Sequence, residues 1–186
     1  VNAIYRMAAV VSALAEHARE LSGDTPHPVL GPPSLSVGRI EGGQSVNVVP
    51  DWCEVEIDRR VIPGETPADG IARVEQALKS RLGGLDGIEF LPPWVKMPAL
   101  SAERSGSDRW LDPLRDAVRR ATGQIPQVTG VPYGTDAGPL GEGGLAAVVF
   151  GPGDIAQAHT KDEWLDLEQL NLATEAYYQM ACVCGA

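Results

Sequence analysis

Ile4, Met7, Ala8, Val11, Leu14, Ala15, Ala18 and Leu21 recur at the three-and-four spacing that gathers apolar side chains on one face of a helix. The pattern predicts a helix over residues 3–21, with Asn2 as N-cap and Gly23 as stop. Pro26, Pro28, Pro32 and Pro33 forbid regular structure as far as Ser34. Leu35 and Val37 then alternate with small polar residues up to Gly42-Gly43, as in a strand ending at a turn. Past that turn, Val46 to Val49 and then Cys53, Val55 and Ile57 alternate with Glu54, Glu56 and Asp58. This predicts a strand with one buried and one acidic face, closed by Pro63-Gly64. Thr66, Pro67 and Asp69 have the spacing of a capping box ahead of Ile71, Val74, Leu78 and Leu82. A second helix up to Gly83 and a short strand over Ile88 to Leu91 follow.

Helix, strand, strand, helix, strand packs as an antiparallel sheet with both helices on one face, a ferredoxin-like arrangement whose usual first strand is missing. Pro92 to Gly106 is interrupted by Pro and Ser, which puts the domains at 1–97 and 98–186 and makes Ser105-Gly106-Ser107 a linker. Beyond it, Asp108 is expected to cap a helix carrying Trp110, Leu111, Leu114, Val118 and Ala121. Gln127 to Val131 and Leu145 to Phe150 read as buried strands, and Asp166 opens a last helix through Leu167, Leu170, Ala173, Tyr177 and Met180. This second piece is an incomplete α/β unit, with sheet edges and apolar helix faces uncovered unless other chain completes it.

Charge and cysteine usage narrow the function classes. Across 186 residues, 25 acidic side chains outweigh 15 Lys and Arg, a formal charge of -10 that disfavours phosphate backbones and anionic membranes. No apolar run approaches the roughly 20 residues of a membrane span. Cys53, Cys182 and Cys184 form neither a disulfide framework nor a zinc-finger spacing, so a reducing, cytoplasmic setting is expected. The first residue is Val1, and no signal peptide follows it, so the N-terminus is expected to be processed or to continue a longer chain.

Candidate chemistry concentrates in the stretch from Gly151 to Trp164, a loop leading into the last helix, where α/β folds place their sites. His159 is the one histidine in such a place, since His17 falls on the flank of the first helix and His27 lies between prolines. It is either a ligand or a loop histidine capping a backbone group, and one imidazole does not make a zinc site. Asp154, Asp162 and Glu163 lie near it, two of them flanking a helix start, where the dipole favours carboxylates in any case. Gly141 to Gly144 lacks the Lys-Ser/Thr of a phosphate loop, and no Gly-x-Ser-x-Gly elbow occurs. Arg59 and Arg60 end the acidic strand and Asn47 precedes it. Together they suit a substrate carboxylate, or else the arginines pair with Glu54 or Glu56 at an exposed sheet end.

Three segments resemble one family, the two-domain di-zinc aminoacylases and metallopeptidases that include acetylornithine deacetylases, succinyl-diaminopimelate desuccinylases and carboxypeptidase G-type enzymes. Gly38-Arg39-Ile40-Glu41-Gly42-Gly43 through Asn47-Val48-Val49-Pro50, with Cys53, Asp58, Arg60 and Pro63-Gly64, looks like the family's lid or dimerisation domain. Gly134-Thr135-Asp136-Ala137 looks like its active-site wall. Gly151-Pro152-Gly153 through Ala158-His159 and Asp162-Glu163 looks like its last metal-binding loop. The likeness covers nearly the whole chain.

The resemblance implies a lid domain at 1–97 and the end of an α/β zinc-peptidase catalytic domain at 98–186. It implies His159 as a ligand in a two-zinc site, with cobalt as a substitute. Asn47 and Arg60 would bind the substrate's carboxylate or developing oxyanion, Asp136 would line the pocket, and a homodimer would form through the lid. The implied reaction is hydrolysis of the amide of an N-acyl amino acid or short peptide. The family's His-x-Asp motif, bridging aspartate, Glu-Glu pair and lid histidine have no counterpart here, and Gly138 stands where many relatives have arginine. The chain is therefore expected to be the C-terminal half of such an enzyme and inactive alone. The rival is a non-catalytic dimerisation or assembly module with a vestigial site.

Overall fold

In the computed structural model, which describes residues 1–101 and 106–184, the chain divides into two units, Val1–Ala99 and Leu100–Ala186. Ser105 and the side chain of Cys184 lie outside the described residues.

The first unit opens with α1 (Ala3–Ser22), where the Asn2 side chain accepts from the Tyr5 N–H. The helix closes where the Gly23 N–H donates to the Glu20 carbonyl and the Asp24 N–H to the Leu21 carbonyl. β1 (Ser34–Gly42) pairs antiparallel with β2 (Cys53–Arg60), from Ser34 opposite Arg60 to Gly42 opposite Cys53, with a register shift between Val37 and Arg39. A Cβ on Gly42 would stand 2.7 Å from Cys53 Sγ, so this end of the hairpin requires glycine. α2 (Pro67–Leu82) starts in a full capping box: Thr66 accepts from the Asp69 N–H while Asp69 accepts from the Thr66 N–H. Gly83 ends α2 in the left-handed conformation at φ 74°.

Both helices cover the same hairpin, because α1 packs on β1 and β2 while α2 packs on α1 and β2. The core between them consists of Val10, Ala13, Leu14, Leu21, Leu35, Val74 and Leu78.

Two expected strand segments are absent here. Val46 to Val49 is an exposed turn, with the Val48 N–H donating to the Ser45 carbonyl, and Pro50, which has no N–H to donate, stands between it and Cys53. Ile88 to Leu91 is irregular: left-handed Gly83 and Gly87 turn the chain, the Ile88 N–H closes on the Leu85 carbonyl, and Ile88 packs against the core as a plug. The sheet thus has two strands among the described residues, making a mixed α/β unit.

In the second unit, α3 (Asp108–Thr122) packs against α5 (Leu167–Cys184), and the short α4 (Ala137–Glu142) contributes buried Ala137 and Gly138. Its buried apolar residues are small apart from Val118, with Ala117, Ala173 and Ala176 among them. Ser107, expected in a linker, sits at the N-cap position of α3 and is 2% exposed, so Asp108 is the first helical residue and not the cap. Asp166 does cap α5, accepting from the N–H groups of Glu168 and Gln169.

The strands expected at Gln127 to Val131 and Leu145 to Phe150 do not form. An extended segment becomes a strand when a neighbour takes its backbone groups, and none does so among the described residues. Side chains take two of the carbonyls instead: Ser107 Oγ donates to Ala147 at 2.6 Å and Tyr177 Oη to Phe150 at 2.7 Å. Val128, Leu145 and Val149 are left exposed. No described helix is long and apolar enough to cross a membrane.

His17, expected on the helix flank, is instead 5% exposed, with neither ring nitrogen within hydrogen-bond distance of a partner among the described residues and Glu20 Oε2 3.6 Å from Nδ1. Burial, reinforced by Arg73 and Arg81 facing it from α2, pushes its pKa below 6.5 against the pull of Glu20. A depressed histidine favours the folded state when neutral. Stability is therefore fully present above pH 6.5 and is lost as pH falls from there through the folded-state value. Urea midpoints between about pH 7.5 and 5, where carboxylates stay ionised, are expected to fall in the native chain and to stay flatter in His17→Leu.

Candidate functional site

The expected site residues divide between the units: Asn47 and Arg60 belong to the first, Asp136 and His159 to the second. Asn47 is exposed on the loop joining β1 to β2, with its Oδ1 accepting from Ser45 Oγ at 2.5 Å. The loop is tied down where the Ala3 N–H donates to the Pro50 carbonyl at 3.0 Å, so it rests against the start of α1.

Arg60 is the last residue of β2, paired in register with Ser34. It therefore lies at the opposite end of the hairpin from the Gly42–Cys53 pair out of which the Asn47 loop grows, about 23 Å of extended strand away. Its side chain is 53% exposed, and Nε donates to Asp58 Oδ2 at 2.7 Å, which leaves the two terminal nitrogens of the guanidinium open to a carboxylate.

The expected pairing of these arginines with Glu54 or Glu56 is not what the side chains do. Arg39 takes Glu56 at 2.5 Å and also pairs with Glu41; Arg60 takes Asp58, and Arg59 takes Glu65. The reason is strand geometry. Side chains two apart share a face, so Arg60 meets Asp58, while Arg59 turns to the helix-covered face with Cys53 and Val55.

Asp136 is exposed at the N-cap position of α4 without a capping hydrogen bond from its side chain; Thr135 Oγ1 accepts from the Ala137 N–H instead. His159 lies in a pinned loop. Asp154 caps the 3-10 turn Ile155–Gln157, the Gly153 N–H donates to Gln169 Oε1 at 2.9 Å, and Thr160 Oγ1 donates to the Gln157 carbonyl at 2.7 Å. His159 itself has φ 61°, a conformation uncommon outside glycine, and its N–H donates to Glu163 Oε2 at 3.2 Å. That hydrogen bond holds the backbone, and the residue is exposed.

Zinc chemistry needs three or four protein ligands. The described residues hold no group of three His, Cys, Asp or Glu side chains able to take a metal, so His159 and its neighbours do not by themselves make such a site.

Sequence reading missed two features that periodicity contains. His17 lies on the same helical stripe as Val10, Ala13, Leu14 and Leu21. Arg59 shares its strand face with Cys53 and Val55, and its side chain is 8% exposed.

The family model of a peptidase dimerisation domain matches residues 1–85. An acetylornithine deacetylase of Myxococcus xanthus is 35% identical over 144 residues, covering 74% of this chain and 34% of the relative. An acetylornithine deacetylase of Edwardsiella ictaluri is 32% identical over 139 residues, covering 73% of this chain and 33% of the relative. An N-acetyl-L-citrulline deacetylase of Xanthomonas campestris is 29% identical over 142 residues, covering 76% of this chain and 37% of the relative. The chain thus spans about a third of the length of these curated relatives.

Proposed function

We propose that this chain is part of an aminoacylase or peptidase of the kind that carries the peptidase dimerisation domain, and that it serves in hydrolysis of the amide of N-acyl amino acids. The observation that carries the reading is that relatives named as deacetylases of acetylated amino acids align over about three quarters of it, beyond the 85 residues of the dimerisation domain.

Residues 1–97 act as lid and dimer contact, and 98–186 as the end of the catalytic domain. Arg60, half exposed and anchored through Nε, takes the substrate carboxylate with its terminal nitrogens. The Asn47 amide, at the other end of the hairpin, donates across the dimer interface to the oxyanion of the partner protomer's site rather than of the site Arg60 serves, and Asp136 lines a pocket wall. His159 presents its imidazole to a zinc ion, or to cobalt in its place, whose further ligands come from outside these residues; bound there, the metal supplies Lewis-acid polarisation. The protein works in a reducing, cytoplasmic compartment.

The test compares this chain with a polypeptide extended upstream of Val1, each given zinc and N-acetylornithine. The extended protein is expected to turn over, and the 186-residue chain to show no more hydrolysis than its His159→Ala variant. In the extended protein Arg60→Ala is expected to raise KM about tenfold or more, as loss of a charge-assisted contact does. An unchanged KM would remove Arg60 from the site; an extended protein inert toward every N-acyl amino acid tried would favour the assembly-module reading.

A further inference from the structure

Arg59 and Arg60 are adjacent in sequence and opposite in fate. The Arg60 side chain is 53% exposed, whereas that of Arg59 is 8% exposed and lies across the strand pair from the core residue Leu35. The Arg59 guanidinium donates in two directions, to a carboxylate oxygen of Glu65, itself 11% exposed, and to the main-chain carbonyl of Arg60. Glu65 also meets Arg73 at 3.4 Å, and Arg73 holds Asp24 at 2.5 Å, so the end of β2 is tied through α2 to the second residue beyond α1.

Room for this buried guanidinium is built in. Gly70, buried in the first turn of α2, leaves space that a Cβ would take at 3.1 Å from Val61 Cγ1 and 3.6 Å from Arg59 Cγ. The pair is not arranged for stability alone, since Arg59 Nε and Glu65 Oε2 are buried with no hydrogen-bond partner among the described residues.

We propose that Arg59, held by Glu65, is the positioning residue for Arg60, fixing the backbone from which the substrate-binding guanidinium projects. Arg60 forms the last pair of a two-stranded hairpin, where the ladder frays unless something holds it. Arg59 supplies that hold by fastening the Arg60 carbonyl, and carboxylate recognition by a planar fork tolerates little displacement. The inference rests on the reading of Arg60 as the carboxylate-binding residue.

The experiment uses the 186-residue chain labelled at arginine Nε, with variants Arg59→Lys, Glu65→Gln and Arg60→Gln, and N-acetylglycine as carboxylate probe. In the native chain the Arg60 Nε–H signal is expected apart from the exposed arginines and to move on titration. In Arg59→Lys, which keeps the charge but not the two-directional fork, and in Glu65→Gln, it is expected to merge with the exposed arginines, with affinity at least about tenfold weaker. Backbone amide signals of α1 and α2 report whether each variant remains folded, and either variant alone suffices. An ordered Arg60 signal with native affinity in a folded variant overturns the positioning role. Equal response of the native chain and Arg60→Gln to the probe overturns the reading of Arg60 itself, and the positioning role with it.

Discussion

Leu21→Ala is expected to destabilise the N-terminal unit by about 2–5 kcal/mol, the cost of a large-to-small change at a site that cannot collapse. Leu21 is 0% exposed and sits in the last turn of α1, in one core with Leu14, Leu35, Val74 and Leu78. Inward relaxation is blocked from two sides. The Gly23 and Asp24 N–H groups bond back to the carbonyls of Glu20 and Leu21, and Asp24 is fastened to Arg73 of α2 at 2.5 Å. The cavity therefore stays open, which places the loss in the upper half of that range. Urea denaturation followed by circular dichroism checks it, with Val46→Ala, at a fully exposed turn position, as the control expected to change stability by under about 0.5 kcal/mol. A loss from Leu21→Ala no larger than the control's would mean that the end of α1 is not docked.

The second large effect belongs to the Arg59–Glu65 pair. Removing one partner of a buried ion pair leaves the other charge uncompensated and costs about 3–5 kcal/mol. The two single variants are not equivalent. Arg59→Met leaves Glu65 with Arg73 still 3.4 Å away, whereas Glu65→Leu leaves Arg59 with a main-chain carbonyl alone. Glu65→Leu is therefore expected to be the costlier of the two. The double variant is expected to lose far less than the sum, because no orphaned charge remains. A double-mutant cycle on urea midpoints decides this, and strict additivity would show that the two side chains do not interact in solution.

How much of this was legible beforehand depends on the range of the forces involved. α1, α2, α3 and α5 were readable because their signals are local: a 3.6-residue apolar period, the Thr66–Asp69 box, and Gly23 and Gly83 at the helix ends. β1 and the part of β2 from Cys53 onward were readable for the same reason, since their two-residue alternation runs up to glycine or proline breaks. The misses at Ile88 to Leu91, Gln127 to Val131 and Leu145 to Phe150 share a different cause. Apolar composition favours an extended conformation, but a strand exists only through a partner's hydrogen bonds, and no local pattern supplies the partner.

The candidate site follows the same division. Residue types and spacing singled out Asn47, Arg60 and His159, because an amide, a guanidinium and a loop imidazole carry their chemistry wherever they stand, whereas Asp136 entered only through the family resemblance. By itself the amino-acid order determined the helices, the paired hairpin strands and the acidic balance, all properties of neighbours along the chain or of its composition. Tertiary structure alone decided that Arg73 of α2 holds Asp24, 49 residues away, that Arg59 finds Glu65 and that His159 stands exposed at positive φ. A pairing such as Arg73 with Asp24 is set by atoms distant in sequence and close in space, and no periodicity encodes that distance.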